Sequence, residues 1–232
     1  AKNEEGNLEE LVNRIPKFEE RYELIFVCGE SKDNTFEKAN YIKDTYSDID
    51  IKVFNQSKNG KANAVWEGIG KCNGELIAIL DSDISVDPEC LIFFFEIIES
   101  GRCDFVNGRR LLYSMEDSAM RKINKIGNRT FQFLISKLVA RNLSDTLCGT
   151  KVFKAKNLEN LYKWQNMMTI KDPFCDFDLI FSSAYAGEKI LEYPIHYRTR
   201  TYGSTNISRF KDGWKLILYL LNALILFKTS RK

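Results

Sequence analysis

Between Tyr22 and Asp83 the chain repeats one pattern: a short apolar run, a few polar residues, then apolar positions at helical spacing. Tyr22 to Val27 is the first run, and the loop after it carries Asp33, placed to cap a helix bearing Phe36, Ala39, Ile42 and Tyr46. Ile51 to Phe54 is the second, after which Ala62, Val65, Trp66 and Ile69 fall on one helical face. The third run begins at Gly74 and ends in Asp81-Ser82-Asp83. Strands joined to helices by short connections leave few topologies, because right-handed crossovers set successive strands parallel and put helices on both faces. The pattern predicts an α/β fold, a mostly parallel sheet sandwiched by helices. Such sheets bind ligands at the carboxyl ends of their strands.

Asp81 and Asp83 stand at one such end. Residues two apart in an extended or turning segment project to the same side, so the pair can face one hard cation or one set of donors. A solvated loop is the bland alternative. Asp87-Pro88-Glu89 just downstream reads as a helix start, however, so Asp87 is expected to supply the cap and leave Asp81 and Asp83 without a structural task. The loop from Cys28 to Ser31 ends another strand and is expected to open on the same crevice.

The flanking segments complete the outline. Leu8, Leu11, Val12 and Ile15 predict a short helix stopped by Pro16, and a Phe-rich helix after Pro88 leads to a strand delivering Arg109 and Arg110 to the crevice. Ser118 to Arg141 reads as a long helix, apolar on most sides and suited to core packing. In the loop from Asp145 to Lys151, Gly149 permits close backbone approach to a bound group, although a plain turn fits equally. Asp172 to Asp178 precedes a helix, where Asp176 or Asp178 is expected to cap and the other needs a further reason. Lys189 to Tyr197 contains Pro194 and so belongs at a sheet edge. Arg198 to Asn206 is a basic loop, either phosphate-holding or simply solvated.

The last apolar stretch, Trp214 to Phe227, is flanked by Lys211, Lys228, Arg231 and Lys232. It is shorter than the roughly 20 residues a bilayer span needs. An interfacial helix, its cations meeting anionic headgroups, is the expected arrangement, and docking on the protein's own core is the alternative. Domain boundaries follow: residues 1–207 form the α/β domain and 208–232 a C-terminal apolar helix with basic flanks.

Composition narrows the function classes. A formal charge of +2 on 232 residues does not favour a strongly basic nucleic-acid binder. Six cysteines without a C-x-x-C pair, and one histidine, exclude zinc-ligand spacing and fit buried, reduced thiols in a cytoplasmic protein.

Taken in order, several motifs resemble the family 2 glycosyltransferases of GT-A fold, on the side of the dolichol-phosphate mannose synthases and other polyprenyl-phosphate glycosyltransferases. They are Asn3-Glu4-Glu5-Gly6-Asn7-Leu8, Ser31-Lys32-Asp33-Asn34-Thr35, Gly60-Lys61-Ala62-Asn63-Ala64, Asp81-Ser82-Asp83, Cys148-Gly149-Thr150, Asp176-Phe177-Asp178 and Arg200-Thr201-Tyr202-Gly203-Ser204-Thr205-Asn206. The resemblance implies an inverting transfer of a sugar from a nucleotide diphosphate sugar. Mg2+ or Mn2+ on Asp81 and Asp83, with Arg200, would neutralise the leaving diphosphate. Glu4, Glu5 and Lys61 would line the nucleotide pocket, and Asp176 would stand near the acceptor as general base or orienting group. The acceptor implied is a polyprenyl phosphate, with the protein peripheral on the cytoplasmic face of a membrane. A sugar hydroxyl in surface polysaccharide synthesis, and a degenerate non-catalytic scaffold, are the other readings; a sugar-nucleotide nucleotidyltransferase would need a glycine-rich phosphate loop that the sequence does not show.

Three positions depart from the family pattern. Cys28-Gly29-Glu30-Ser31 stands where many relatives have Asp-Asp-Gly-Ser, so no particular base is implied, and Asn206 stands where mannose synthases tend to have Lys. The hydrophobic strand that precedes the position of Ala1 in relatives is also absent. A truncated chain is therefore expected, with unpaired backbone on the two neighbouring strands and low stability.

Overall fold

The computed structural model describes residues 1–110, 122–203 and 209–230. After helix α1 (Leu8–Arg14), strands β1 (Glu23–Cys28) and β2 (Asp50–Asn55) pair in parallel around helix α2 (Thr35–Thr45). Helix α3 (Lys61–Ile69) leads to β3 (Leu76–Ile79), followed by α4 (Leu91–Glu99) and β4 (Phe105–Arg109). Next come α5 (Lys122–Val139), β5 (Lys151–Lys154), α6 (Leu158–Met167), α7 (Asp176–Tyr185), β6 (Ile190–Pro194) and α8 (Arg209–Ser230). The second sheet runs β3-β5-β4-β6, with β4 and β6 parallel and β5 antiparallel to both neighbours. β6, with its proline, lies at the edge as expected.

One element differs from the sequence reading. β5 was not expected: Lys-Val-Phe-Lys is short and half charged, and its strand character comes from pairing with β3 and β4 on either side. The start of the predicted helix, Ser118 to Arg121, lies outside the described residues.

β1 and β3 do not pair. Between their facing edges lies a cavity of about 1580 Å³, bordered by Leu24, Phe26, Val65, Leu76, Ala78 and Phe95. Ala1 makes the one described rung at its end: the amino group donates to the Val27 carbonyl (2.8 Å), and the Ala1 carbonyl accepts from Gly29 N–H (2.8 Å).

The largest core cluster includes Trp164, Phe177, Phe181, Ile135, Tyr219 and Phe227. Leu216, Tyr219, Ala223 and Phe227 recur at helical spacing, so α8 buries one full stripe in this core. Its other side exposes Trp214 (62%), Leu221 (53%) and Ile225 (59%). Docking on the protein's own core, the alternative weighed from sequence, is what α8 shows on its buried face. Among the described residues no helix is long and apolar enough to cross a membrane.

Candidate active site

β3 delivers Asp81 and Asp83 to the end of the sheet, and each meets a cation. Lys61, the first residue of α3, pairs with Asp81 (2.7 Å), while Arg200 pairs with Asp83 and approaches Glu4 (3.8 Å). Desolvation favours the protonated Asp81 carboxyl, but the charge and hydrogen bond of Lys61, with Lys151 and Arg110 behind it, outweigh this and hold it below the usual range. Asp81, Asp176 and Asp83 all act on Lys61 and raise its pKa against the opposing effect of burial. One network of alternating charges therefore joins Lys61, Asp81, Asp83, Arg200, Glu4 and Asp176.

Glu4 is buried, and burial pushes its carboxyl up against the opposing hydrogen bond from Asn7 Nδ2 (2.5 Å). Its backbone N–H donates to Thr35 Oγ1 (2.9 Å), and Asn3 N–H donates to Ser31 Oγ (3.0 Å), so the loop after β1 borders the same crevice. Glu5 is placed differently. Its carboxylate accepts from the backbone and side-chain nitrogens of Asn34, holding the start of α2.

Asp176 sits at the first position of α7, where its carboxylate receives a hydrogen bond from Lys151 (2.6 Å). Lys151 is fully buried and also donates to the Cys148 carbonyl. This lysine was not singled out from sequence. The available signal was a charge at an inward position of a strand, legible only once β5 was recognised.

The capping residue of α7 is also corrected. Asp172 accepts from the N–H groups of Phe174 (2.9 Å), Phe177 (2.6 Å) and Asp178 (3.1 Å), so neither Asp176 nor Asp178 serves as cap. Burial, with the charges of Asp178 and Asp176, pushes the Asp172 carboxyl up to about 7. Asp87 likewise does not cap: its carboxylate binds Arg14 (2.6 Å) and Arg198 (2.8 and 2.9 Å). Arg110 is buried against Asp145 (2.7 and 2.8 Å) and braces the crevice rather than lining it freely. Ser204 to Asn206 lie outside the described residues.

Backbone strain marks the same place. Of the four described non-glycine residues with positive φ, Asn3 (56°), Ile84 (51°) and Cys175 (69°) immediately adjoin Glu4, Asp83 and Asp176. Such conformations cost on the order of 1–3 kcal/mol each and persist where surrounding structure over-determines them. Gly149 completes the crevice floor: a Cβ there would lie 2.0 Å from Asp81 Oδ2 and 2.8 Å from Lys61 Nζ. The close approach anticipated for Gly149 is therefore made by the protein's own Asp81.

The sequence profile described as "Glycosyl transferase family 2" matches residues 1–162. The chain belongs to this family. Among relatives of this glycosyltransferase, the undecaprenyl-phosphate 4-deoxy-4-formamido-L-arabinose transferase of Proteus mirabilis is 26% identical over 216 residues, 90% of this chain and 61% of that protein. A dolichol-phosphate mannosyltransferase of Pyrococcus furiosus is 33% identical over 102 residues, covering 43% of this chain and 28% of that protein. A dolichyl-phosphate hexose transferase of Haloferax volcanii is 28% identical over 193 residues, with 83% and 77% covered. The glycosyltransferase thus spans less than two thirds of the first two. Its fold is that of glucosyl-3-phosphoglycerate synthase from Mycobacterium tuberculosis, solved with Mn2+, UDP and glucosyl-3-phosphoglycerate (TM-score 0.70, 15% identity, 97% of this chain and 77% of that chain covered). This is the GT-A α/β fold expected from the motifs.

Proposed function

We propose that this family 2 glycosyltransferase moves a sugar, with inversion, from a nucleotide diphosphate sugar to a polyprenyl phosphate at the cytoplasmic face of a membrane. The observation that carries the reading is the pairing of Asp81 with Lys61 and of Asp83 with Arg200 beside the buried Asp176. A strand end that presents two carboxylates and two cations can bind a diphosphate through both signs of charge.

The donor set fits Mg2+ or Mn2+. Two hard carboxylates one residue apart suit a cation that keeps waters and takes its remaining ligands from substrate phosphates. Asp81 and Asp83 would hold it, and it would supply charge neutralisation for the leaving diphosphate. Lys61 and Arg200 contribute to the same neutralisation from the protein side, and Glu4 and Glu5 shape the nucleotide pocket through the Ser31 to Thr35 loop.

The relatives named for undecaprenyl- and dolichyl-phosphate support the acceptor. A phosphate acceptor is already an anion and needs no proton removed, so Asp176, held by Lys151, acts as an orienting group. The exposed apolar face of α8, with Lys215 and Lys228 on the same helix, suits an anionic lipid surface. Six free cysteines fit a reducing compartment and hence the cytoplasmic side.

The test is a screen of UDP- and GDP-sugars with a short polyprenyl phosphate or a sugar-hydroxyl acceptor, in Mn2+ or Mg2+. Turnover onto the lipid phosphate that disappears in Asp81→Ala/Asp83→Ala is expected. Turnover surviving that double substitution would refute the metal and diphosphate assignment, and no donor binding by calorimetry would point to a non-catalytic scaffold.

A further inference from the structure

The stretch from Thr169 to Asp178, which joins α6 to α7 and includes Asp176 at the first position of α7, is gripped by α8 at both ends. At its start, Asn222 Oδ1 accepts hydrogen bonds from Thr169 N–H (3.0 Å), Thr169 Oγ1 (3.2 Å) and Ile170 N–H (3.3 Å). At its far end, Tyr219 Oη donates to Asp178 Oδ1 (2.6 Å). Tyr219 is fully buried and itself accepts from Trp164 Nε1 (2.6 Å), so its hydroxyl is held on both sides. From α3, Ala62 N–H donates to the Pro173 carbonyl within the same stretch (3.2 Å).

Tyr219 and Asn222 lie three residues apart, close to one turn of α8, and therefore on adjacent parts of one face. Asp176 and Asp178 share the first turn of α7, yet the first turns to Lys151 and the second to Tyr219. The left-handed Cys175 between the loop and α7 is a strained joint that stays in place only while its surroundings hold it.

We propose that Tyr219 and Asn222 are positioning residues: α8 clamps the segment from Thr169 to Asp178 at both ends and so sets where the Asp176 carboxylate stands in the acceptor crevice. The proposal rests on the reading that Asp176 orients the acceptor. It assigns a catalytic consequence to a helix that touches neither Asp81 nor Asp83 in any described hydrogen bond. A displacement of about 1 Å at such a group can cost up to about a hundredfold in rate.

The experiment compares Tyr219→Phe, Asn222→Leu and Asn222→Asp in the full chain, using the active donor and short polyprenyl phosphate. Tyr219→Phe keeps the ring and removes only the hydroxyl, and Asn222→Asp keeps the acceptor oxygen that Asn222→Leu removes. Tyr219→Phe and Asn222→Leu are expected to lower kcat about tenfold with donor KM unchanged, while Asn222→Asp stays near the parent. Parent-like kcat per folded molecule in both, or a loss carried by donor KM, would overturn the proposal. If Tyr219→Phe does not fold, the Asn222 pair decides alone. If the parent shows neither turnover nor donor binding, the functional reading fails separately, and the clamp is read by hydrogen exchange. Asn222→Leu then speeds exchange of the Phe177 and Asp178 amides if the clamp exists, and unchanged exchange overturns it.

Discussion

Lys151→Met isolates the energetics of the crevice floor. Lys151 is 0% exposed and its ammonium lies 2.6 Å from Asp176, whose side chain is 8% exposed, so both charges have left water. Removing one partner of a buried pair costs about 3–5 kcal/mol, because the other charge remains without compensation. Lys61 also interacts with the Asp176 charge, which offsets part of the penalty and places the expectation at the low end, about 3 kcal/mol. Met keeps the bulk of the lysine stem, so the cavity contribution is small. Adding Asp176→Asn removes the stranded charge. Lys151→Met/Asp176→Asn is therefore expected to be more stable than Lys151→Met, even though it carries one more substitution. Urea unfolding followed by tryptophan fluorescence measures both. A double variant equal to or less stable than Lys151→Met would refute the idea that uncompensated charge is the cost.

Three further outcomes follow from the same geometry. Burial, with the charges of Asp178 and Asp176, raises the folded Asp172 carboxyl to about 7, above the ordinary carboxylate range, so its contribution to stability is full below about pH 4 and is lost as pH rises toward 7. Unfolding titrations should show Asp172→Asn flattening that slope. Gly149→Ala drives a methyl group into Asp81 and Lys61, and calorimetry should show donor affinity in Mn2+ falling by about tenfold, about 1.4 kcal/mol, with little change in melting temperature. Trp214→Glu with Leu221→Glu alters only the exposed face of α8, so sedimentation with anionic vesicles should weaken while Tm holds.

Much of the site was legible because its signals are local. Asp81 and Asp83 follow an apolar run, Lys61 opens a helix after a Gly-containing turn, and Asp176 opens another, each readable within a few residues. The pairing of these groups was not. Lys151 lies in a strand too short and too charged to show a period, and it acquires strand geometry only between β3 and β4. Asp172 caps α7 from outside the capping position that sequence rules favour, because Cys175 turns left-handed and brings the amides of Phe177 and Asp178 back to it.

The sequence by itself determined the alternation of strand and helix, the apolar faces and the acidic groups at the strand and helix ends, because periodicity and spacing are properties of neighbours. Only the tertiary structure decided which charge meets which. Lys151 reaches Asp176 across 25 residues, Tyr219 reaches Asp178 across 41, and Arg198 takes Asp87 across 111. Burial strengthens the first two of these pairings by lowering the local dielectric, and which groups are buried together is settled when the sheets and helices pack.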